Sequence, residues 1–345
     1  MPNPADTLTL EDLKNWNRRD EAGNFLPSLA VLGHPVAHSV SPQMHNAALA
    51  ELAKTYPQFQ NWKYYKFEIK PEELKEALDL LKEKNFVGVN LTVPHKHAAA
   101  IIFGRDNINT TGEVGIEKTP VTLAAFSSVN TVVFNGRLPH DNTDGYGLAR
   151  ALKQDLGKDI SGNPIVILGT GGAASGAADE CLNHDCSALW IGGREEQKRL
   201  NAIKGIKKYI SDVLKLEPTA NSKIKGFDLL KPLASEWPPD VIVINATTLG
   251  MKRNDPLPFD VSLLGNKACV FDMVYNREGP TKFVVAARER GLRAADGLGM
   301  LVWQGAKSLT IWIKAHEGID IQPEAIAPTM MTAACAALGL PPRHA

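Results

Sequence analysis

The chain has little cysteine, no excess of either charge and no long apolar run. Its 345 residues include 38 basic and 38 acidic side chains, so the formal net charge is zero. This balance gives no support for a nucleic-acid or membrane-surface partner, and we expect neither. No apolar run reaches the roughly 20 residues that a membrane helix needs, and segment 1–27 lacks the apolar core of a signal peptide. The sequence is therefore typical of a cytoplasmic globular protein.

The few cysteines indicate neither a disulfide framework nor a metal site. Cys181, Cys186, Cys269 and Cys335 form no CxxC pair. His184 lies between the first two, but no second pair of ligands completes a metal site. We expect reduced structural thiols and no bound metal.

The order of apolar segments predicts two α/β domains, which a length of 345 residues also favours. Segment 1–27 precedes the first clear strand, and its stretch Thr9 to Asp12 is typical of a helix start with a capping box. Residues 28–92 alternate strand and helix, which predicts a mostly parallel sheet with helices on its faces. A second alternation begins at Ile165 to Leu168, a strand of the buried type. The lysine-rich residues 204–225 are predicted to form an irregular, solvated face.

A glycine-rich loop follows that buried strand and opens a predicted helix. The loop runs Gly169-Thr170-Gly171-Gly172-Ala173-Ala174, which is the G-x-G-x-x-A form. In this context backbone N–H groups and a helix N-terminus receive the diphosphate of a dinucleotide. The alternative is a strand–helix turn that merely favours glycine, since the motif alone is a weak signal. Its position at the head of the second alternation favours the dinucleotide.

The end of the next predicted strand carries both basic and acidic residues. In dinucleotide-binding domains an acid here binds the ribose 2′-OH of NAD, whereas an arginine binds the 2′-phosphate of NADP. Arg194 and Lys198 favour NADP, while Glu195 and Glu196 count against it. We expect NADP, with NAD as the alternative cofactor and an ordinary charged loop as the alternative interpretation.

Three segments of the N-terminal half carry more polar groups than packing explains. Ser39 and Ser41 begin a predicted helix, where they suit either a substrate carboxylate or helix capping. Asn90 and Thr92 share one side of a strand, because side chains alternate along it. The run Asn142 to Asp144 is the third segment. Because open α/β sheets bind ligands beyond strand ends, all three are candidates for a site.

Together these segments resemble the shikimate dehydrogenase family. The resemblance keeps the family order from residue 30 to about 312. The matching blocks are Gly33 to Pro42 followed by His45-Asn46, Asn90 to Lys96, Val129 to Val132, Asp141 to Gly145, Gly169 to Ala174, Asn245 to Met251, Asp272 to Tyr275 and Asp296 to Ala306. One such block is weak evidence, but eight in one order are not explained by chance.

The resemblance implies roles for residues of both halves of the chain. For the substrate it implies Ser39 and Ser41 at the carboxylate, Asn90, Thr92, Asn130 and Gln304 at the ring hydroxyls, and Tyr275 near the carboxylate end. For the cofactor it implies Gly169, Gly171, Gly172, Ala173, Ala174, Arg194 and Lys198, with Asn245, Thr247 and Met251 on the nicotinamide side and Gly297 beside them. Lys96 and Asp144 match the catalytic pair of the family.

The implied activity is the reversible NADPH-dependent reduction of 3-dehydroshikimate to shikimate, a step towards the aromatic amino acids. The implied fold has a mostly parallel α/β substrate-binding catalytic domain at residues 1–145 and 305–345. A Rossmann-type NADP-binding domain at 146–304 completes it, joined by helices across a central cleft. Lys96 and Asp144 would share the one proton that the reaction moves. We expect the enzyme to act on this small molecule as a monomer or a homodimer.

Two rival functions remain open at this point. A quinate or dual quinate/shikimate dehydrogenase would reuse the same site, although Ser41 favours shikimate. A non-catalytic ligand-sensing regulator would need no proton relay, so Lys96 and Asp144 count against it.

The chain also departs from the family pattern. Gly193 and Glu195 replace two residues of the clamp around the adenosine, which weakens the preference for NADP. The stretch between Lys96 and Asn130 is longer than in the family, and we expect residues 104–118 to form a lid at the substrate mouth.

Overall fold

Backbone hydrogen bonds join the strands into two separate six-stranded sheets. The computed structural model describes residues 2–106, 128–134, 140–209, 223–232 and 234–345. The chain divides into two units, of which the first is Met1–Thr143 with Gln304–Ala345 and the second is Asp144–Trp303. Each unit contains one sheet.

The regular elements of the described residues are numbered here in chain order. The strands are β1 (Thr7–Leu8), β2 (Ser28–Gly33), β3 (Lys63–Glu68), β4 (Phe86–Leu91), β5 (Thr131–Val133), β6 (His140–Asp141), β7 (Pro164–Leu168), β8 (Ala188–Gly193), β9 (Ile224–Asp228), β10 (Ile242–Asn245), β11 (Cys269–Asp272) and β12 (Arg293–Ala295). The helices are α1 (Leu10–Lys14), α2 (Ser41–Leu52), α3 (Leu74–Glu83), α4 (His95–Asp106), α5 (Asp144–Leu156), α6 (Gly172–Asn183), α7 (Glu196–Tyr209), α8 (Lys282–Glu289), α9 (Leu298–Glu317) and α10 (Pro323–Leu338).

The sheet of the first unit has the order β1-β3-β2-β4-β5-β6. Its first four strands are parallel, whereas β5 runs antiparallel to β4 and β6 antiparallel to β5. Helix α9 packs closely on it, because a Cβ at Gly88 would lie 2.1 Å from Trp312 Nε1. That indole N–H donates to Val132 O at 2.8 Å.

The N-terminal segment is an integral part of this first unit. Thr9 caps α1, and the reciprocal bonds with Asp12 form the predicted capping box. Leu13 is completely buried, and Trp16 packs edge-on against Tyr65 with ring centroids 4.9 Å apart. Strand β1 pairs with the outer side of β3, so the segment covers an edge and part of one face of the sheet.

The sheet of the second unit has the order β12-β11-β10-β7-β8-β9, and every pair in it is parallel. Numbered from β7 onward, this is the 3-2-1-4-5-6 order of doubly wound dinucleotide-binding domains. Successive residues of β7 belong to different cores: Ile165 and Ile167 pack in one cluster, Val166 and Leu168 in the other. The sheet is thus buried on both faces, and the predicted α/β fold is confirmed.

The structure corrects the prediction for the lysine-rich stretch. Residues up to Tyr209 belong to α7, where Ile206 is buried, and β9 begins at Ile224. Residues 210–222 lie outside the described part, as do residues 107–118 of the predicted lid. Within the described ranges, no helix combines the length and apolar character needed to cross a membrane.

Candidate functional site

The two serines predicted to hold a carboxylate lie at the start of α2. Val40 occupies the N-cap position without a capping side chain, and Ser41 is the first helical residue. Ser39 Oγ accepts the N–H of Ser41 at 3.3 Å, so Ser39 takes part in local capping. Ser41 is buried, and its proximity to Tyr64 of β3 partly opposes the rise that burial causes in the pKa of Tyr64.

Tyr64 and His45 form a buried pair to which the sequence had assigned no role. Their rings are stacked with centroids 3.9 Å apart, and the Tyr64 hydroxyl donates to Asn90 Oδ1 at 2.8 Å. His45 Nδ1 lies 2.8 Å from the backbone oxygen of Ser41. Burial raises the pKa of Tyr64 well above its usual value and lowers the pKa of His45 to about 4. Both side chains are therefore neutral near pH 7.

Asn90 and Thr92 occupy different environments at the end of β4. Asn90 is buried, and its amide nitrogen donates to Asn130 O at 3.1 Å and to Ser308 Oγ at 3.0 Å. Thr92 lies just beyond the strand and is half-buried. Its methyl group would lie 2.5 Å from a Cβ at Gly33, so only glycine lets the ends of β2 and β4 approach this closely.

Asn130 uses both ends of its amide within the first unit. Its nitrogen donates to Thr143 Oγ1 at 3.0 Å and to Gln304 Oε1 at 3.2 Å. Its oxygen accepts the N–H of Thr143 at 2.8 Å and the hydroxyl of Thr131 at 2.8 Å. The side chain is therefore rigidly oriented, and it fixes Gln304 as well.

These residues form one buried polar cluster, which we call the Asn130 network. Its members are Asn90, Asn130, Thr131, Thr143 and Ser308. Ser308 is completely buried and lies 2.8 Å from Thr131 Oγ1 and 3.0 Å from Thr143 Oγ1. Sequence reasoning missed it, although it follows Gln304 by four residues and so shares its helix face.

The proposed catalytic pair falls at the starts of two helices. Lys96 is the second residue of α4, and its backbone oxygen accepts the N–H of Val129 at 3.1 Å. Asp144 is the first residue of α5 and of the second unit. Its chain neighbour Thr143 belongs to the Asn130 network, which holds the backbone immediately before it.

The glycine-rich loop joins β7 to α6 in the second unit. Gly169 has a φ of +124°, a backbone conformation that favours glycine. A Cβ at this position would also lie only 3.0 Å from Ala246 O, so the close approach of the two backbones favours glycine as well. Gly171 is the N-cap of α6 and makes no side-chain cap. At Gly171 and Gly172 an added Cβ would meet no described atom within 4 Å. The helix N-terminus is therefore uncapped and faces open space, an arrangement that suits an anionic group.

Asn245 and Thr247 shape the loop after β10. The amide nitrogen of Asn245 donates to Asp272 Oδ1 at 2.8 Å and to Leu249 O at 3.0 Å. Its oxygen accepts the hydroxyl of Thr247 at 2.7 Å. Burial raises the pKa of Asp272, while the hydroxyl of Thr281, which donates to it at 2.6 Å, opposes that shift. Both predicted site residues thus serve a structural role in this loop.

The remaining predicted residues of the second unit differ in exposure. Met251 projects an apolar side chain that is 65% exposed. Gly297 packs against the backbone of Met273, the residue that follows β11. A Cβ at position 297 would lie 2.1 Å from Met273 O. Tyr275 is half-buried, and burial raises the pKa of its hydroxyl against the opposing charge of Arg277.

The charged residues after β8 form one ion pair. Lys198 Nζ lies 2.7 Å from Glu195 Oε1, and both side chains are about two-thirds exposed. Among the described residues, Arg194 has no ion-pair partner and is exposed. Gly193 ends the strand, and a Cβ there would lie 2.7 Å from Thr170 Cγ2. A side chain at position 193 would therefore require Thr170 to shift.

Comparison with known proteins identifies the family. Residues 31–109 match the family profile described as shikimate dehydrogenase substrate binding domain. The chain is 38% identical to shikimate dehydrogenase (NADP(+)) of Moorella thermoacetica over 292 residues, which cover 82% of this chain and 87% of that protein.

Two solved structures extend the likeness to the whole fold. Shikimate 5-dehydrogenase of Thermus thermophilus, in complex with NADP(H) and shikimate, superposes with a TM-score of 0.64 at 28% identity, covering 89% of this chain and 100% of that one. Shikimate 5-dehydrogenase of Listeria monocytogenes, in complex with shikimate and NAD, gives a TM-score of 0.67 at 27% identity, covering 91% and 98%. The chain therefore belongs to the shikimate dehydrogenase family.

Proposed function

We propose that the chain is an NADP-dependent shikimate dehydrogenase, an oxidoreductase that acts on a CH–OH group and reversibly reduces 3-dehydroshikimate to shikimate. The observation that carries this proposal is the 38% identity to an NADP-dependent shikimate dehydrogenase over 82% of the chain. The uncapped α6 terminus behind an open glycine loop supports it independently, because such a terminus suits a dinucleotide diphosphate.

The first unit is the proposed substrate domain. Ser39 and Ser41 would bind the carboxylate of shikimate, and Thr92 a ring hydroxyl. The buried amides of Asn90 and Asn130 would form the rigid floor of the site, since their internal hydrogen bonds fix their orientation. Gln304 would bind a further hydroxyl, and Tyr275 of the second unit would lie near the carboxylate.

The second unit is the proposed cofactor domain, and its residues fit NADP. Gly169, Gly171, Gly172, Ala173 and Ala174 would cradle the diphosphate against α6. Arg194 and Lys198 would bind the 2′-phosphate, since no acid stands at Gly193. Asn245, Thr247, Met251 and Gly297 would line the nicotinamide side, where the exposed Met251 offers an apolar surface. When bound, NADPH supplies the hydride that reduces the ketone.

Lys96 and Asp144 are proposed to manage the single proton of the reaction. In the reducing direction Lys96 Nζ donates a proton to the oxygen that was the ketone, and its charge polarises that carbonyl. In the oxidising direction the same nitrogen accepts the hydroxyl proton. Asp144 is the second group proposed to take part in the transfer of this proton. A non-catalytic ligand sensor would not need such a proton relay.

We further propose that the enzyme works in the cytoplasm on this small molecule, as a monomer or a homodimer. Reduction of NADP⁺ by the purified chain, with shikimate or quinate as the second substrate, tests the function. We expect turnover with shikimate and much slower turnover with quinate. Turnover with neither substrate would contradict the proposal that the chain is a dehydrogenase. Faster turnover with quinate would mean that quinate, and not shikimate, is its preferred substrate.

A further inference from the structure

A glutamate on α6 lies against the first turn of α5, directly beside the residue that follows Asp144. A Cβ added at Gly145 would lie 2.2 Å from Glu180 Oε2, 2.8 Å from its Cδ and 3.2 Å from its Cβ. All three nearest neighbours of that position belong to Glu180. The glutamate side chain thus lies along the face of α5 that the glycine leaves open.

The carboxylate of Glu180 is held in this place by His184. Glu180 Oε1 lies 2.9 Å from Nε2 of His184, which is four residues further along the chain at the C-cap of α6. The glutamate side chain is only 16% exposed, whereas the histidine is 53% exposed. Burial raises the pKa of Glu180, and His184 opposes that shift. One carboxylate oxygen is therefore engaged by His184, and the other faces α5.

This arrangement is not explained by packing alone. A partly buried carboxylate contributes little apolar contact and loses hydration, so a leucine would fill the same space at lower cost. The first turn of a helix, however, has N–H groups without intrahelical partners, and an oxygen placed there is favourable. Glu180 therefore places a carboxylate oxygen beside the turn of α5 that begins with Asp144.

We propose that Glu180 is a positioning residue for Asp144, acting through its contact with Gly145. The inference rests on the proposed function, in which Asp144 shares the substrate proton. Holding the first turn of α5 in one arrangement presents the Asp144 carboxylate in one orientation, and displacement of a reacting group by about 1 Å costs up to about 100-fold in rate.

Four variants test the contact: Glu180→Ala, Glu180→Gln, Gly145→Ala and the double variant Gly145→Ala with Glu180→Ala. Glu180→Ala should lower kcat about 10-fold and leave KM for shikimate and NADP⁺ within about twofold, because neither ligand touches Glu180. Glu180→Gln keeps the length and an oxygen, so it should recover most of kcat. Exposed Asn183 lies on the same helix, and Asn183→Ala is the matched control with parental kinetics.

The double variant separates one shared contact from two independent effects. Gly145→Ala should lower kcat by pushing Glu180 aside, and removing Glu180 as well should make kcat no lower than in the worse single variant. Losses that multiply would overturn the proposal. So would a Glu180→Ala variant that unfolds at lower temperature but keeps parental kcat, or a Gln variant as slow as the Ala variant. A parent chain inactive on shikimate would instead remove the proposed function.

Discussion

Asn130 and Thr143 exchange two hydrogen bonds: the amide nitrogen of Asn130 donates to Thr143 Oγ1 at 3.0 Å, and its oxygen accepts the N–H of Thr143 at 2.8 Å. Thr143 is the last residue before α5, which starts with Asp144. A single buried amide therefore fixes both the backbone and the side chain of the residue next to the proposed acid–base group. The same hydroxyl lies 3.0 Å from Ser308 Oγ, which ties this point of the chain to α9.

Thr143→Val should destabilise the protein, because it removes the hydroxyl that accepts from the Asn130 amide and lies 3.0 Å from Ser308 Oγ. Each intramolecular hydrogen bond that is lost costs about 0.5–1.5 kcal/mol net. Valine matches threonine in shape, so the loss reports on hydrogen bonding alone. Thr143→Ser keeps the hydroxyl and should retain most of the stability. Urea unfolding of the two variants measures the difference, and equal midpoints would show that the network contributes nothing at this position.

Lys96→Ala and Asp144→Asn should each lower kcat strongly while changing KM much less. A general acid typically contributes about 10²–10⁴-fold, and the reaction has one proton to transfer. Steady-state kinetics with shikimate and NADP⁺ measure both constants. Lys82→Ala, an exposed lysine on α3, is the matched control and should behave as the parent. If Lys96→Ala retains kcat within a factor of about three, equivalent to roughly 0.6 kcal/mol, the assigned role is wrong.

The strands and the dinucleotide loop could be predicted because their signals are local. The apolar run Ile165 to Leu168 followed by glycine determines both a buried strand and the turn after it. Strand β9 was missed because Ile224 to Asp228 contains a lysine, a glycine and a single isoleucine, and only its pairing with β8 makes it a strand. The lysines near this strand favoured the prediction of an irregular, solvent-exposed segment. Tertiary pairing here outweighed local composition.

The Asn130 network could be predicted only in part for a similar reason. Asn90 and Asn130 lie in segments that the sequence marks as candidate site segments. Their partner Ser308 lies 178 residues beyond Asn130 in the sequence, on a helix whose other residues are mostly apolar. A buried serine gives no periodic signal. The stack of His45 on Tyr64 could not be predicted either, because the sequence alone does not show that this helix residue packs on a strand residue 19 positions later.

Replacing the residues after β8 should change the preference for NADP over NAD. Arg194→Ala should remove most of it, since a charge-assisted contact is worth about 1.5–3 kcal/mol, or roughly 10- to 100-fold. Glu195→Thr should widen it by a factor of about two to five, because Lys198 loses an exposed ion pair that contributes at most about 1 kcal/mol. The ratio of kcat/KM for the two cofactors, at fixed ionic strength, measures both effects.

The neighbouring acid provides the control for this pair. Glu196→Thr removes an equal charge one residue further on and should alter the ratio less than Glu195→Thr does. A parent enzyme that prefers NAD would contradict the cofactor assignment. An unchanged ratio in Arg194→Ala would place the 2′-phosphate elsewhere.

Removal of the N-terminal segment should destabilise the first unit. Trp16 is buried and lies 4.9 Å from Tyr65 and 5.1 Å from Phe86 between ring centroids. Trp16→Ala should therefore cost about 3–5 kcal/mol, and deletion of residues 2–17 should cost more and leave the edge of β3 unpaired. Thermal unfolding measures the loss. Glu11→Ala, on the exposed side of α1, should stay within about 0.5 kcal/mol of the parent. A deletion variant as stable as the parent would show that the segment is merely attached.

His45 should make the protein less stable in acid. Its pKa falls from 6.5 to about 4 on folding, because burial disfavours the charged ring. The unfolded chain therefore binds a proton at a higher pH than the folded chain does. The contribution of His45 is complete above pH 6.5 and is lost as the pH falls towards 4. At about pH 4.5 the loss should be roughly 2–3 kcal/mol.

Total acid stability cannot isolate this effect, since other groups oppose it. Burial raises the pKa of Asp179 to about 7. Protonation of this carboxyl therefore stabilises the folded state as the pH falls, over part of the range in which His45 destabilises it. The comparison is therefore between the parent and His45→Phe, which keeps a ring on Tyr64 but cannot titrate. The free energy of unfolding should drop roughly 2–3 kcal/mol less in the variant between about pH 7.5 and about pH 4.5. Leu49→Ala, a buried change on the same helix, should lower stability equally at both. An identical drop in the parent and His45→Phe would mean that His45 is not held neutral by the fold.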